Sequence, residues 1–82
     1  MAQFPADPSA EALKADPRYE AAMRKALDAA RGLFSRQGYG ATSMRQIAEA
    51  CDQSTGNLYH HFGSKEAIFQ QLIDDYWERL LD

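Results

Sequence analysis

Cysteine is nearly missing from this chain. Cys51 stands alone among 82 residues, which excludes an internal disulfide and makes a cytoplasmic setting the simplest expectation. Long apolar runs are missing as well, so no segment reads as a membrane span. The opening residues Met1-Ala2-Gln3-Phe4-Pro5 have neither the basic start nor the apolar block of a secretory signal. Glycine (5) and proline (3) are too scarce for a fibrous or disordered chain. Length itself is in short supply, and it leaves no room for a second domain. A domain of this size buries only about 60% of the surface its unfolded form exposes, so it has little interior in which to enclose a substrate. A binding module is favoured over an enzyme.

Positive charge is the last shortage: nine Lys and Arg stand against twelve Asp and Glu, for a net charge of -3. The distribution matters more than the sum. Arg24, Lys25, Arg31, Arg36, Arg45 and Lys65 occupy the middle of the chain against only Asp28, Glu49 and Asp52. Acidic residues prevail on both sides, with Asp7, Glu11, Asp16 and Glu20 before this stretch and Glu66, Asp74, Asp75, Glu78 and Asp82 after it. A basic middle is thus flanked by acidic ends.

What is present is helical periodicity. Residues 1–17 hold all three prolines and no apolar repeat, and they read as a mobile leader with a short helical turn near Ser9 to Ala15. From residue 18 to 82 the pattern is that of a folded domain. Tyr19, Met23, Leu27, Ala30 and Phe34, joined by Ala26 and Leu33, form one face of a first helix that ends at Gly38. Gly32 inside it weakens the helix or permits close approach of a neighbouring one. Ser43-Met44-Arg45-Gln46 fits a capping box, and Met44, Ile47, Ala48 and Cys51 give a second, short helix an apolar face at i, i+3, i+4, i+7. Ser54 caps a third helix with Leu58 and Phe62 inward, and Gly63 stops it. Ser64 caps a fourth, which runs on without a stop signal. The expected fold is all-α, with no strand and no internal repeat.

Two short helices separated by about four residues have the dimensions of a helix-turn-helix, whose second helix lies in the major groove and offers its first residues to base edges. Ser54 and Thr55 bring hydroxyls, Gly56 brings no side chain, and Asn57 can pair with adenine. Ser-Thr-Gly-Asn is also an ordinary cap and turn, and alone it would be read as such. Tyr59, His60 and His61 follow, with Lys65 opening the fourth helix. Adjacent histidines point to different sides of a helix, and Cys51 with either of them lacks the ligand count of a zinc site, so no metal or cofactor is expected. No nucleophile turn or phosphate-cradling loop is present, so no catalysis is expected either.

The string from Ala29 to Ala50, continued by Ser54-Thr55-Gly56-Asn57-Leu58-Tyr59-His60-His61-Phe62-Gly63-Ser64-Lys65-Glu66, resembles the DNA-binding domain of the TetR family of bacterial transcriptional regulators over about residues 22–72. The A-A-x-x-L-F, G-Y-x-A-T-S, I-A and G-x-L-Y-x-H-F-x-x-K-E elements occur in order and at family spacing. The resemblance implies a three-helix head containing the helix-turn-helix and a fourth helix linking it to a larger ligand-binding and dimerising domain. It further implies double-stranded DNA as partner, a palindromic operator, a homodimer in the full-length form, and repression relieved by a small-molecule effector held by that downstream domain. The setting it implies is the bacterial cytoplasm, on the nucleoid when bound. Residue by residue, Ser43 and Arg45 fall where the second helix meets backbone or base. Ser54, Thr55, Gly56 and Asn57 fall on the recognition helix, and Tyr59, His60, His61 and Lys65 fall on phosphate-contacting or nearby supporting positions.

The chain departs from the family pattern in the turn, where A-G-V-S is replaced by Cys51-Asp52-Gln53-Ser54. Aspartate tolerates the left-handed backbone that glycine supplies there. Gln53 replaces a small apolar residue that packs between the two helices, so it is expected to turn outward or to substitute a hydrogen bond for packing. The leader lacks the basic cluster with which some members reach the minor groove, and Asp7, Glu11 and Asp16 would oppose phosphate. Charge gained by His60 or His61 near phosphate should raise DNA affinity as pH falls through about 6.5. On the fourth helix, the pairs Ile68-Phe69, Leu72-Ile73, Tyr76-Trp77 and Leu80-Leu81 make a face too broad for covering the head alone. Either the helix frays after about Leu72, or Tyr76, Trp77, Leu80 and Leu81 pack on another domain or a second copy. A helical protein-interaction module that works through this face is the alternative to DNA binding.

Overall fold

Each helix begins and ends at a local signal. The computed structural model describes residues 17–81, which form four helices: α1 (Pro17–Gln37), α2 (Met44–Ala50), α3 (Thr55–Phe62) and α4 (Lys65–Leu81). The leader and its helical turn near Ser9 to Ala15 lie outside the described residues, except that Pro17 already belongs to α1. Proline suits that first position, where its missing N–H would have no helical partner. At the far end of α1, Gly38 adopts φ +92° and donates its N–H to the Phe34 carbonyl at 2.9 Å. The capping box opens α2: Gln46 N–H donates to Ser43 Oγ at 3.1 Å, and Ser43 N–H donates to Gln46 Oε1 at 2.9 Å. Ser54 Oγ caps α3 by accepting from Asn57 N–H, Gly63 at φ +92° ends it, and Ser64 Oγ caps α4 by accepting from Ala67 N–H.

The core is built from the residues that the periodicities select. Ala26, Leu27 and Ala30 of α1 meet Met44, Ile47, Ala48 and Cys51 of the α2 segment, Leu58 of α3 and Ile68 of α4. Leu33, Phe34, Phe62 and Leu72 pack partly buried around them. α1 packs on α2 and α4, while α3 packs on α2 and α4, so the four helices close on one another in a ring of contacts. Burial pushes the Cys51 thiol pKa up, which suits a packing group and opposes thiolate chemistry. Gly32 proves to face no neighbouring helix: a Cβ there would first meet the Arg36 guanidinium of its own helix at 3.1 Å. The expected role in close helix approach is therefore corrected.

α4 continues unbroken to Leu81, so it does not fray after Leu72. α1 covers it as far as Asp75, whose carboxylate pairs with Arg24 at 3.4 Å. Beyond that point Tyr76, Trp77, Leu80 and Leu81 are exposed, Leu81 at 84%. No helix among the described residues is long and apolar enough to cross a membrane.

Candidate nucleic-acid interface

The turn between α2 and α3 sets the aim of α3, and it is made by residues that depart from the family pattern. Asp52 takes φ +62°, the left-handed backbone expected of it, while Asp52 N–H donates to the Glu49 carbonyl and Gln53 N–H to the Ala48 carbonyl. Gln53 neither packs as an apolar residue nor turns away. Its Nε2 donates to the Ala22 carbonyl of α1 at 3.1 Å, and its Oε1 accepts from Asn57 Nδ2 at 2.7 Å. The hydrogen-bonded arrangement, one of the two expected, is the one formed.

With α3 so placed, Ser54, Gly56 and Asn57 are exposed in its first turn and Thr55 is half-buried. Apart from the backbone of its own helix, no atom of the described residues lies within 4 Å of the position a Gly56 Cβ would take. The fold does not require glycine here, and the absence of a side chain leaves the backbone open to an outside partner. Tyr59 and His60 are exposed on the same helix. His61 leaves that face: it is half-buried, its ring stands edge-on to Tyr19 at 4.8 Å, and its Nδ1 is buried without a hydrogen-bond partner among the described residues. Burial, and secondarily His60, lowers its pKa.

Beside α3 a shallow depression of about 420 Å³ brings Ser43, Tyr59 and Lys65 together from three different elements, rimmed also by Gly40, Ser64 and Glu66. Ser43 Oγ accepts from the backbone and keeps its own O–H to donate. Lys65 reaches back over 26 and 23 residues to donate to the Tyr39 carbonyl at 2.9 Å and the Thr42 carbonyl at 3.0 Å. Its ammonium also sits 4.1 Å from the centre of the Tyr39 ring. Two of its three N–H groups therefore hold the α1–α2 turn, and one remains. Glu66 on the rim opposes an anion, and with burial as the larger cause it raises the Tyr39 hydroxyl pKa, keeping that group protonated. Arg45 is exposed on α2 and pairs with Glu49 at 3.6 Å across water-facing surface, a contact of little strength that leaves the guanidinium available.

Sequence reasoning missed the residues that support this depression from below. Gln37 Nε2 lies 3.0 to 3.3 Å from Ala41 O, Thr42 Oγ1 and Gln46 Oε1, and its two N–H groups, shared among these acceptors, tie the end of α1 to the capping box of α2. Thr42 is buried, and its hydroxyl donates to the Gly38 carbonyl at 2.8 Å. A buried threonine in a turn and a glutamine at a helix end carry no sequence signal of their own, because their partners appear only after the chain has closed. Among the described residues no group of His, Cys, Asp and Glu could hold a metal ion.

Comparison with known proteins agrees with this geometry. Residues 26–72 match the sequence profile of the bacterial regulatory proteins of the tetR family. The HTH-type transcriptional regulator UidR of Escherichia coli is 49% identical over 55 residues, covering 67% of this chain and 28% of that protein. The HTH-type transcriptional repressor KstR2 of Rhodococcus jostii is 41% identical over 54 residues, covering 66% of this chain and 26% of that protein. The HTH-type transcriptional regulator QacR of Staphylococcus aureus is 40% identical over 50 residues, covering 61% of this chain and 27% of that protein. The chain thus spans under a third of the length of these relatives. Its two short helices, the turn between them and the caps that place them all fall within the matched residues, and the chain belongs to the tetR family of bacterial regulatory proteins.

Proposed function

We propose that the chain is the sequence-specific DNA-binding domain of a transcriptional repressor and reads the major groove with the first turn of α3. The observation that carries this is the open first turn of α3, with bare backbone at Gly56, beside the Ser43–Tyr59–Lys65 depression. Base edges meet Ser54, Thr55, Gly56 and Asn57, while phosphates are met by Ser43, Arg45, Tyr59, His60 and the remaining N–H of Lys65. His61, turned toward Tyr19, supports the helix. In the whole protein, two copies would hold their α3 helices about 34 Å apart on a palindromic operator, and a small-molecule effector would act through a domain beyond this chain. Such a repressor works in the cytoplasm, on the nucleoid when bound.

Selection of bound sequences from a random duplex pool, followed by titration of the selected and a scrambled duplex at several salt concentrations, tests this reading. Preference for the selected duplex and a steep salt slope are expected. Equal binding to both, with a flat slope, would favour the second reading. That reading, a protein-interaction module, rests on the exposure of Tyr76, Trp77, Leu80 and Leu81.

A further inference from the structure

Gln53 connects α1 to the turn that precedes α3 and to the first turn of α3 itself. Its bonds fix the orientation of two amides. The Ala22 carbonyl can only accept, so the nitrogen end of the Gln53 amide faces α1, where the N···O distance is 3.1 Å. The oxygen end then faces Asn57, which must donate, and Nδ2 does so at 2.7 Å. Either amide reversed would set oxygen against oxygen. One Nδ2 hydrogen of Asn57 is used in this way, which leaves Oδ1 as an acceptor and one N–H as a donor. Adenine presents the complementary N6 donor and N7 acceptor in the major groove. Guanine presents two acceptors there, cytosine only a donor and thymine only an acceptor.

We propose that Gln53 is a positioning residue for base recognition: anchored on the Ala22 carbonyl, it holds the Asn57 amide in the orientation that selects adenine. This rests on the proposed DNA-reading function and names the base that the site prefers. Without Gln53 the Asn57 side chain turns freely, and ordering it again on DNA weakens the preference by about two- to tenfold.

Random-pool selection is run on the full chain as wild type, Asn57→Ala and Gln53→Met, a replacement of similar length that has no amide. The wild type should enrich adenine at one position, and Asn57→Ala should abolish that preference. Gln53→Met should reduce it by about two- to tenfold at the same position and leave the other positions unchanged. A uniform loss at all positions in Gln53→Met makes Gln53 a structural residue and overturns the proposal. An adenine preference that survives Gln53→Met but not Asn57→Ala overturns it too, while leaving DNA reading by α3 intact. No selected sequence with the wild type defeats both. A measurement without DNA or mutation applies even if Gln53→Met does not fold. One of the two Asn57 side-chain amide protons should exchange with solvent more slowly than the other in the wild type, and equal fast exchange of both removes the bridge.

Discussion

Gly56 separates the demands of the fold from those of the proposed partner. Apart from the backbone of its own helix, no atom of the described residues lies within 4 Å of a Cβ there, and alanine is the better helix former by up to about 1 kcal/mol. Gly56→Ala should therefore leave the melting temperature unchanged or raise it while weakening DNA binding, because the added methyl stands where the duplex approaches. A variant that binds as well as the wild type would move the base-reading surface elsewhere. His61 makes the opposite case, since its role lies inside the fold. Its pKa is lowered in the folded state by burial, so as pH falls below the ordinary imidazole value of about 6.5 the unfolded chain takes up a proton first. Stability contributed by neutral His61 is complete above that value and declines on acidification. The wild type should melt at a lower temperature at pH 5.5 than at pH 7.5, and His61→Phe, which keeps a ring against Tyr19, should narrow the difference. An unchanged difference would assign the pH dependence to other groups.

The helices themselves were legible because each boundary carries its own chemistry. Ser43, Ser54 and Ser64 cap, Gly38 and Gly63 stop, and all four inward residues of the α2 pattern are buried. Asp52 was legible for the same local reason. The ties between elements were not, since they join groups far apart in sequence whose pairing is decided only when the helices close. Gln53 finds Ala22 across 31 residues and Lys65 finds Tyr39 across 26. A pair of adjacent histidines had to split between two sides of α3, but nothing local told which of them Tyr19 would take. Lys65 shows what such ties mean for the site. Reading the sequence put it on a phosphate-contacting or nearby supporting position, and two of its donors hold carbonyls of the turn that carries Ser43 into position. Lys65→Met should thus destabilise the domain by about 1 to 3 kcal/mol, as expected for hydrogen bonds to a charged group. It should also weaken selected and random DNA alike, lowering the salt slope by about one unit if the third N–H meets phosphate. Thermal melts and salt titrations on the same preparation check both. A full loss of stability with an unchanged salt slope would confine Lys65 to the fold.

At the scale of the whole molecule, the proposed reading assigns work to two surfaces: the open first turn of α3, within the basic middle of the chain, and the apolar continuation of α4, within its acidic last stretch. Between α1 and α4 a groove of about 470 Å³ runs along Phe34, Phe69, Leu72 and Ile73 to Tyr76 and Trp77. The Phe34, Tyr39 and Phe69 rings interlock at its inner end, with centroids 5.1 to 5.8 Å apart, so that part of α4 is fastened to the head. Past Asp75 the described residues leave Trp77 and Leu80 each 55% exposed and Leu81 84% exposed. A contiguous apolar patch on a helix that keeps its form marks a contact surface. The relatives are more than twice as long as this chain, and a second copy is the occupant that the isolated chain can be tested for. Sedimentation of the 82-residue chain should therefore show self-association that rises with concentration. The Trp77→Ala, Leu80→Ala double variant should weaken that association by about tenfold or more, given roughly 1 to 2 kcal/mol for each buried anchor removed. Because neither side chain touches the α3 face, the double variant should keep its affinity for a single half-site and lose only the advantage of a full palindrome, where pairing holds two heads one helical turn apart. A wild type that stays monomeric at high concentration, binds the palindrome tightly and is indifferent to the double substitution would show that the exposed stripe of α4 takes no part in pairing the heads.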